Sequence, residues 1–232
     1  MRSIGQPDNM LTPSDIQMMD GLASGDADER FKSIRRIRNS LIGLKSKKYV
    51  FVANGLIEKL IDLMIEDDTS IEFGVEAAVV LGSLARGDPD NLRRVLDSQA
   101  VPILCKGICV SDERLVAACL VSLRTCFMSN QVPADLIYED ANIVSRLVHL
   151  LGKTPHSAEC AANILQRSCK TPTDQSMLYE AGILPALACW LKHKQVSVLV
   201  PVFRCMSALV HCNEIIARKV GDIKSILSRN SL

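Results

Sequence analysis

The sequence predicts an all-α fold built from stacked repeats, a right-handed α-solenoid, and three observations lead to this prediction. First, an apolar pattern with the spacing of one helix face recurs four times, at steps of 42, 42 and 41 residues. Second, hydrophobic residues make up 48% of the chain but aromatic residues only 4%, which favours close-packed helices over a β-sandwich. Third, residues typical of helix starts and ends recur at matching places.

The four recurring faces each follow the spacing i, i+3, i+4, i+7, i+10 and i+11, and only Ser168 brings a polar group to them. Because one repeat cannot bury such a face alone, we expect neighbouring repeats to cover it by stacking. The faces consist of Gly74, Ala77, Ala78, Leu81, Leu84 and Ala85; of Val116, Cys119, Leu120, Leu123, Cys126 and Phe127; of Ala158, Ala161, Ala162, Leu165, Ser168 and Cys169; and of Leu199, Val202, Phe203, Met206, Leu209 and Val210.

Two shorter helices are predicted ahead of each face. The first helices are expected at residues 48–53, 92–97, 134–139 and 174–179. Tight turns at 54–55, 99–100, 141–142 and 181–182 then lead to second helices that begin at Leu56, Val101, Ile143 and Ile183. Three helices in about 42 residues are typical of armadillo repeats, whereas HEAT repeats have two. The segment 180–187, Glu-Ala-Gly-Ile-Leu-Pro-Ala-Leu, favours the armadillo pattern.

The predicted organisation has a degenerate N-terminal unit, four repeats and a tail. Residues 1–11 are expected to be disordered. Residues 12–48 form a capping repeat, in which Thr12 starts one helix and a second helix runs from 27 to 44. The four armadillo repeats, residues 48–212, are 48–87, 88–130, 131–171 and 172–212.

Residues 213–232 are expected to be an incomplete fifth repeat or tail, with a short helix from 214 to 220 and another that starts at Asp222. A solenoid that stops within a repeat leaves part of its last apolar face uncovered, at Leu199, Phe203 and Met206. Pro201 is expected in the first turn of the last third helix, because deeper in the helix it would cost about 3 kcal/mol.

The nine cysteines are predicted to act mainly as small core residues. Cys119, Cys126, Cys160, Cys169 and Cys205 fall on or beside positions that hold apolar residues in sister repeats. A zinc site that uses Cys105 with Cys109, or His211 with Cys212, is the alternative, although no paired Cys-x-x-Cys motif supports it. Many free thiols indicate a reducing compartment, cytoplasm or nucleus, and no signal peptide or membrane-spanning segment is expected.

A basic run is the most charged segment, in a chain whose net charge is only +1. It comprises Arg30, Lys32, Arg35, Arg36, Arg38, Lys45, Lys47 and Lys48, and acidic residues crowd the segment 58–76 that follows. We interpret it first as a solvated surface that partly neutralises itself. A docking patch for an acidic partner and a localisation signal are the alternatives, whereas nucleic-acid binding is disfavoured because no aromatic residues interleave with the bases.

Several segments resemble one particular armadillo family in their residue identities, beyond the helix spacing that all armadillo repeats share. These segments are Glu-Ala-Ala-Val-Val-Leu-Gly-Ser-Leu-Ala at 76–85, Leu-Arg-Thr at 123–125, Leu-Ile-Tyr-Glu-Asp-Ala at 136–141 and Ser-Cys-Lys at 168–170. They are similar to the N-terminal part of the armadillo repeat-containing protein 8 family, across residues 30 to 215. That family supplies the armadillo scaffold subunit of the CTLH (GID) E3 ubiquitin ligase. The resemblance implies a scaffold whose repeats dock onto LisH/CTLH-domain subunits, while RING subunits transfer ubiquitin.

A partner-binding groove is expected along the third helices, which line the concave side of armadillo solenoids, with two positions per repeat pointing into it. Arg167 and Arg204 make the groove basic in the C-terminal half, where they could bind a carboxylate. Nuclear-import adaptors carry Trp and Asn at these positions, but Trp190 is expected in a second helix and Asn163 occupies the wrong position. The groove residues are Val79, Ser83, Val121, Thr125, Asn163, Arg167, Arg204 and Ala208.

No catalytic motif is found in the sequence, which lacks a phosphate-binding glycine loop, His-Glu-x-x-His and a nucleophile elbow. The four histidines are scattered over the chain, and Cys126 is expected to be too buried to act as a nucleophile. The sequence therefore predicts a non-enzymatic protein-interaction scaffold without a cofactor, metal, small-molecule substrate, nucleic acid or membrane partner. The alternative is an armadillo adaptor for trafficking, adhesion or nuclear-import-type cargo.

Overall fold

The computed structural model describes residues 10–66 and 69–221, which form α-helices, one 3-10 helix and connecting turns, with no β-strand among them. The chain divides into two compact units, residues 1–126 and 127–232. Within the described residues no helix is long and apolar enough to cross a membrane.

The first unit begins with the predicted capping repeat, α1 (Pro13–Leu22) and α2 (Ala27–Ser40). Thr12 starts α1 as predicted, and it exchanges hydrogen bonds with Asp15 in a capping box. Helix α2 ends four residues earlier than the predicted 27–44, because residue 43 is a glycine with a φ of +74°, outside the right-handed helical region. Helix α2 packs against α1 and against the third helix of the next repeat, as a capping unit should.

Two complete three-helix repeats follow in this unit. The first contains α3 (Lys45–Ala53), α4 (Leu56–Ile65) and α5 (Ile71–Leu84), and the second α6 (Pro89–Asp97), α7 (Ala100–Gly107) and α8 (Glu113–Phe127). Gly55 starts α4 with a φ of +80°, which confirms the turn predicted at 54–55. The turn predicted at 99–100 is displaced, since α7 already begins at Ala100 after Gln99.

The second unit continues the pattern through the 3-10 helix Ala134–Ile137, α9 (Ala141–Leu151) and α10 (Pro155–Ser168), and then α11 (Pro172–Glu180), α12 (Ile183–Ala188) and α13 (Val196–Val210). Helix α14 (Glu214–Gly221) confirms the short helix predicted from 214 to 220. The turn predicted at 141–142 is wrong, because the Asp140 side chain accepts from the N–H of Asn142 and starts α9 at Ala141. The first helix predicted at 134–139 is a 3-10 helix of four residues, preceded by Pro133, which supplies no side-chain cap.

Two further expectations differ from the structure in this unit. Pro201 lies inside α13 rather than in its first turn, because the helix begins at Val196; the pyrrolidine ring is buried, so core packing offsets the missing N–H. Trp190 follows α12 instead of lying within it, and its indole Nε1 donates to the carbonyl of Leu151 at 2.6 Å. The only tryptophan of the chain is thus a core residue of this unit.

The predicted third-helix faces form part of the core, together with residues of the shorter helices such as Phe51, Leu56 and Leu104. Every residue of the first three faces is buried. The fourth face, on α13, is only partly covered, and Phe203 remains 53% exposed, which confirms the predicted apolar exposure there. Residues 1–9 of the predicted disordered segment and the second helix predicted from Asp222 lie outside the described residues.

Candidate partner-binding surface

In the first unit the predicted groove positions lie on two third helices, outside the buried faces of these helices. Val79 and Ser83 belong to α5, Val121 and Thr125 to α8. Val79 is 38% exposed and the other three are half-buried. The Thr125 hydroxyl donates to the Val121 carbonyl at 3.0 Å, so its polarity is used within its own helix. This part of the surface is therefore mainly apolar and offers no free charge at the four positions.

In the second unit the groove positions lie on α10 and α13, which pack directly against each other. Asn163 of α10 is only 7% exposed, and its amide donates to the Glu159 carbonyl at 2.8 Å, so it offers a partner little surface. Arg167, four residues later, is half-buried, and its Nη1 donates to Asn130 Oδ1 at 2.7 Å. Arg204 of α13 is exposed, and Ala208, one turn later, is half-buried.

An open depression of about 340 Å³ lies at the Arg204 and Ala208 positions, lined also by Gln166, Ser207 and His211. The sequence pattern did not point to these last three residues. Gln166 and Ser207 each precede a predicted groove residue, and a one-residue offset on a helix turns a side chain by about 100°. Whether the eight predicted positions bind a partner stays a prediction; the structure adds three lining residues to it.

Gln175 of α11 organises the end of α13 beneath this depression. Its Nε2 donates to the carbonyls of Ala208 at 3.0 Å and His211 at 2.8 Å, and its Oε1 accepts from Asn213 at 2.8 Å. The glutamine is 4% exposed. The last carbonyls of a helix otherwise lack intrahelical donors, so this buried side chain caps α13 and leaves fewer backbone acceptors at the depression.

In the first unit a lysine side chain, rather than a glutamine, donates to backbone carbonyls at the end of a third helix. Lys48 of α3 donates from Nζ to the carbonyl of Ser83 at 2.6 Å and to that of Arg86 at 3.4 Å, at the end of α5. Burial, followed by the charges of Arg86 and Lys45, lowers the pKa of this lysine. One member of the predicted basic run is thereby committed to holding the fold.

Other members of the basic run are also paired inside the protein. Arg38 Nη1 lies 2.6 Å from Glu76 Oε2, and Arg35 Nε lies 3.8 Å from Glu76 Oε1. Lys47 Nζ lies 2.8 Å from Asp15 Oδ1. Arg38 of α2 thus reaches α5, which contains Glu76. These contacts favour the interpretation of a partly self-neutralised surface over that of a free docking patch.

Close packing of α5 and α8 explains why position 82, within the segment 76–85, is a glycine. The Ser122 hydroxyl donates to the Ala78 carbonyl at 2.7 Å, a hydrogen bond that is buried. A Cβ added to Gly82 would lie 2.4 Å from Ser122 Oγ and 3.0 Å from its Cα. Only glycine at this position allows the two helices to approach so closely.

The five cysteines predicted to lie in the core, Cys119, Cys126, Cys160, Cys169 and Cys205, are all buried. Burial raises the pKa of the Cys126 thiol to about 12, so it stays protonated near neutral pH and is a poor nucleophile. Cys105 is buried whereas Cys109 and Cys212 are exposed. Within 10–66 and 69–221, no group of three or more His, Cys, Asp or Glu side chains is arranged to hold a metal ion.

Comparison with known proteins extends these observations. No family model matches the chain. Armadillo repeat-containing protein 8 is 29% identical in Xenopus laevis over 213 residues, and 30% identical in Danio rerio and in Mus musculus over 203 residues. These matches cover 92%, 88% and 88% of the chain, but the chain spans only 30% of the length of each of these relatives.

Among solved structures, a designed armadillo repeat protein superposes with a TM-score of 0.73 at 19% identity, over 89% of this chain and 86% of that one. Another designed armadillo repeat protein, in complex with the peptide (KR)4, has a TM-score of 0.73 at 19% identity and covers 93% and 90% of the two chains. The fold is therefore an all-α armadillo solenoid, as predicted, and the predicted resemblance to armadillo repeat-containing protein 8 is confirmed over most of the chain.

Proposed function

We propose that this chain is a non-catalytic protein-interaction scaffold that acts in a ubiquitin ligase of the CTLH/GID type and supports ubiquitin-dependent degradation by the proteasome. The observation that carries the proposal is the similarity to armadillo repeat-containing protein 8 across 88–92% of the chain. Since the chain spans 30% of those relatives, the proposed role is that of one part of such a scaffold.

Partner binding is assigned to the groove along the third helices. A designed armadillo protein of the same fold forms a complex with a peptide, which supports a peptide segment as the kind of partner. The proposed contact positions are the eight named from the sequence: Val79, Ser83, Val121, Thr125, Asn163, Arg167, Arg204 and Ala208. The proposed partners are LisH/CTLH-domain subunits of the ligase, and the proposed location is the cytoplasm and nucleus.

We assign a different role to each of the three segments of the chain. Residues 12–48 cap the solenoid, residues 48–212 supply the four stacked repeats, and residues 213–232 begin a fifth. The capping role of the first segment is supported by α2, which packs on α5 on one side and on α1 on the other. Residues 48–212 contain the four third helices and hence the proposed contact positions.

An import-type adaptor has less support as the function. Trp190 is buried, with its indole N–H hydrogen-bonded to Leu151, so it cannot line a peptide groove. Asn163 is also buried and bonded within its own helix. A Trp and Asn ladder of the import-adaptor kind is therefore not available at these two residues.

Co-expression with LisH/CTLH-domain subunits tests the proposal. We expect the chain to co-elute with them as one complex in size-exclusion chromatography at near-physiological salt. Replacement of the exposed Val79 by Asp should reduce the co-eluting fraction without changing the helical circular dichroism, if the third-helix surface carries the contact. Separate elution of the wild-type chain and all the LisH/CTLH-domain subunits would contradict membership of the ligase.

A further inference from the structure

We propose that the paired surface of α10 and α13 binds an acidic peptide segment, with Arg204 as its principal carboxylate anchor. This inference rests on the proposed function, because it gives the partner chemistry of part of the same surface. It concerns the second unit alone, in which both helices lie.

The depression at Arg204 is rich in side-chain hydrogen-bond donors that have no acceptor among the described residues. Arg204, Gln166 and Ser207 line it, and their side chains make no hydrogen bond or ion pair to another residue in the described part of the chain. An arginine presents five N–H donors and no acceptor, and it binds carboxylates in a bidentate manner. The exposed His211 ring lies on the same wall and can add a further donor.

The acceptors that would compete for these donors are already occupied. The carbonyls of Ala208 and His211, near the end of α13, both receive hydrogen bonds from Gln175, and the carbonyl of Val210 accepts from the N–H of Asn213. The Asp174 carboxylate beside Gln175 accepts from the N–H groups of Lys170 and Thr171 at the start of α11. The free hydrogen-bonding capacity of the depression therefore favours a ligand that supplies acceptors.

Charge on the neighbouring helix acts in the same direction. Arg167 is held by Asn130 through one N–H group, which fixes its guanidinium and leaves further donors unused. Lys170 follows it and is exposed. The acid on this face of α10, Glu159, lies two turns before Arg167, at the other end of the helix. Arg167, Lys170 and Arg204 thus lie towards the C-terminal ends of α10 and α13. The acids near these ends already have partners, since Asp174 accepts from backbone N–H groups and Glu214 pairs with Arg218.

This charge pattern is opposite to what a basic peptide requires. The designed armadillo protein of similar fold binds (KR)4, a peptide of lysine and arginine alone. The same peptide laid along α10 and α13 would bring like charges against Arg167 and Arg204, which is unfavourable. A segment of the same length that carries Asp and Glu would instead form charge-assisted hydrogen bonds with both.

Fluorescence anisotropy with labelled (DE)4 and (KR)4 octapeptides tests the proposal on the full chain. We expect (DE)4 to bind the wild-type protein at least about tenfold more tightly than (KR)4, a difference of about 1.4 kcal/mol. Arg204→Glu should weaken (DE)4 binding about tenfold, whereas Lys192→Glu should change it by less than about twofold. Lys192 is an exposed lysine in the turn that follows α12, so this control makes the same charge change away from the proposed site.

Two readouts keep the outcome unambiguous. The thermal unfolding midpoint of Arg204→Glu should equal that of the wild type, because Arg204 is exposed and has no partner in the described chain. Tighter binding of (KR)4, absence of (DE)4 binding, or equal effects of the two charge reversals would overturn the proposal. If the chain binds (DE)4 but does not co-elute with LisH/CTLH-domain subunits, the acidic-peptide site is supported and the proposed ligase role is contradicted. If it co-elutes with these subunits but does not bind (DE)4, only the acidic-peptide site is contradicted.

Discussion

Arg38 of the capping repeat and Glu76 of the first full repeat form an ion pair in which Nη1 lies 2.6 Å from Oε2. The Glu76 side chain is 11% exposed and that of Arg38 is 33% exposed. The contact between α2 and α5 thus contains an ion pair whose carboxylate is largely shielded from water. Such a pair adds little net stability compared with an apolar contact. Removal of only one partner, however, strongly lowers the free energy of unfolding, because the other charge stays partly buried without a counterion.

We therefore predict that Glu76→Gln lowers the free energy of unfolding by about 2 kcal/mol, because Arg38 keeps its charge without a counterion. Chemical unfolding followed by circular dichroism measures the effect. The matched control is Glu72→Gln on the same helix, which removes one of the two acidic partners of the exposed Arg114 and should leave stability unchanged. Equal effects of the two substitutions would show that burial of the Arg38 pair is unimportant.

The buried cap of α13 gives a second prediction. Gln175→Ala removes donors from the carbonyls of Ala208 and His211 and an acceptor from Asn213, and should destabilise the second unit by about 2 kcal/mol. Hydrogen exchange should accelerate first in the last turn of α13. Thr173→Ala, at an exposed position of the same helix, is the control and should leave exchange unchanged. Exchange rates in α13 that do not respond to Gln175→Ala would refute the capping role.

Close approach of α5 and α8 gives a third prediction. Gly82→Ala places a methyl group 3.0 Å from the Ser122 backbone Cα, so the helices must separate, at a cost of about 1–3 kcal/mol. Gly25→Ala is the control, because a Cβ there meets nothing within 4 Å. Thermal unfolding midpoints should fall by several degrees for the first variant and stay constant for the second. A stable Gly82→Ala protein would mean that the helices adjust without strain.

The buried thiols predict a loss of stability at alkaline pH. An unfolded cysteine ionises near pH 9.0, whereas burial raises the pKa of Cys126 to about 12 in the folded chain. Stability from this group is complete below about pH 9 and is lost as pH rises towards about 12, by about 1.4 kcal/mol per pH unit.

Unfolding titrations at several alkaline pH values measure this slope. Cys126→Ala should reduce the slope by the share of one thiol, whereas Cys109→Ala, at an exposed position, should not. Because both variants keep all lysines and tyrosines, the contributions of these residues to the slope in the same pH range cancel when the variants are compared. Parallel slopes for the wild type and Cys126→Ala would show that the buried thiol does not resist ionisation.

The sequence predicts the repeat architecture well because helix periodicity and helix-end residues are local signals. The buried faces, the glycine before α4 and the Thr12 cap all depend on residues a few positions apart. Pro201 misled the prediction because proline is a strong local signal for a helix start, while packing of the buried ring kept it inside α13.

Contacts between helices could not be predicted in the same way. The Gln175 cap joins residues 33 and 36 positions apart, and the Arg38 pair joins residues 38 apart. Both need the exact stacking of two repeats, which periodicity does not supply. The same limit applies to the surface: the pattern pointed to Arg204 and Ala208, but the depression around them required the neighbouring helix that brings Gln166 beside them.

The central claim is that the chain joins a ubiquitin ligase as a scaffold, and affinity capture from a lysate of its own source tests it most directly. The wild-type chain serves as bait at near-physiological salt, beside the Arg167→Glu/Arg204→Glu variant and the Lys192→Glu control, with quantitative mass spectrometry of the bound proteins. We expect LisH/CTLH-domain and RING subunits with the wild type and the control, and reduced capture of an acidic partner with the double variant. Recovery of unrelated cargo and no ligase subunit would contradict the claim and leave only the armadillo fold.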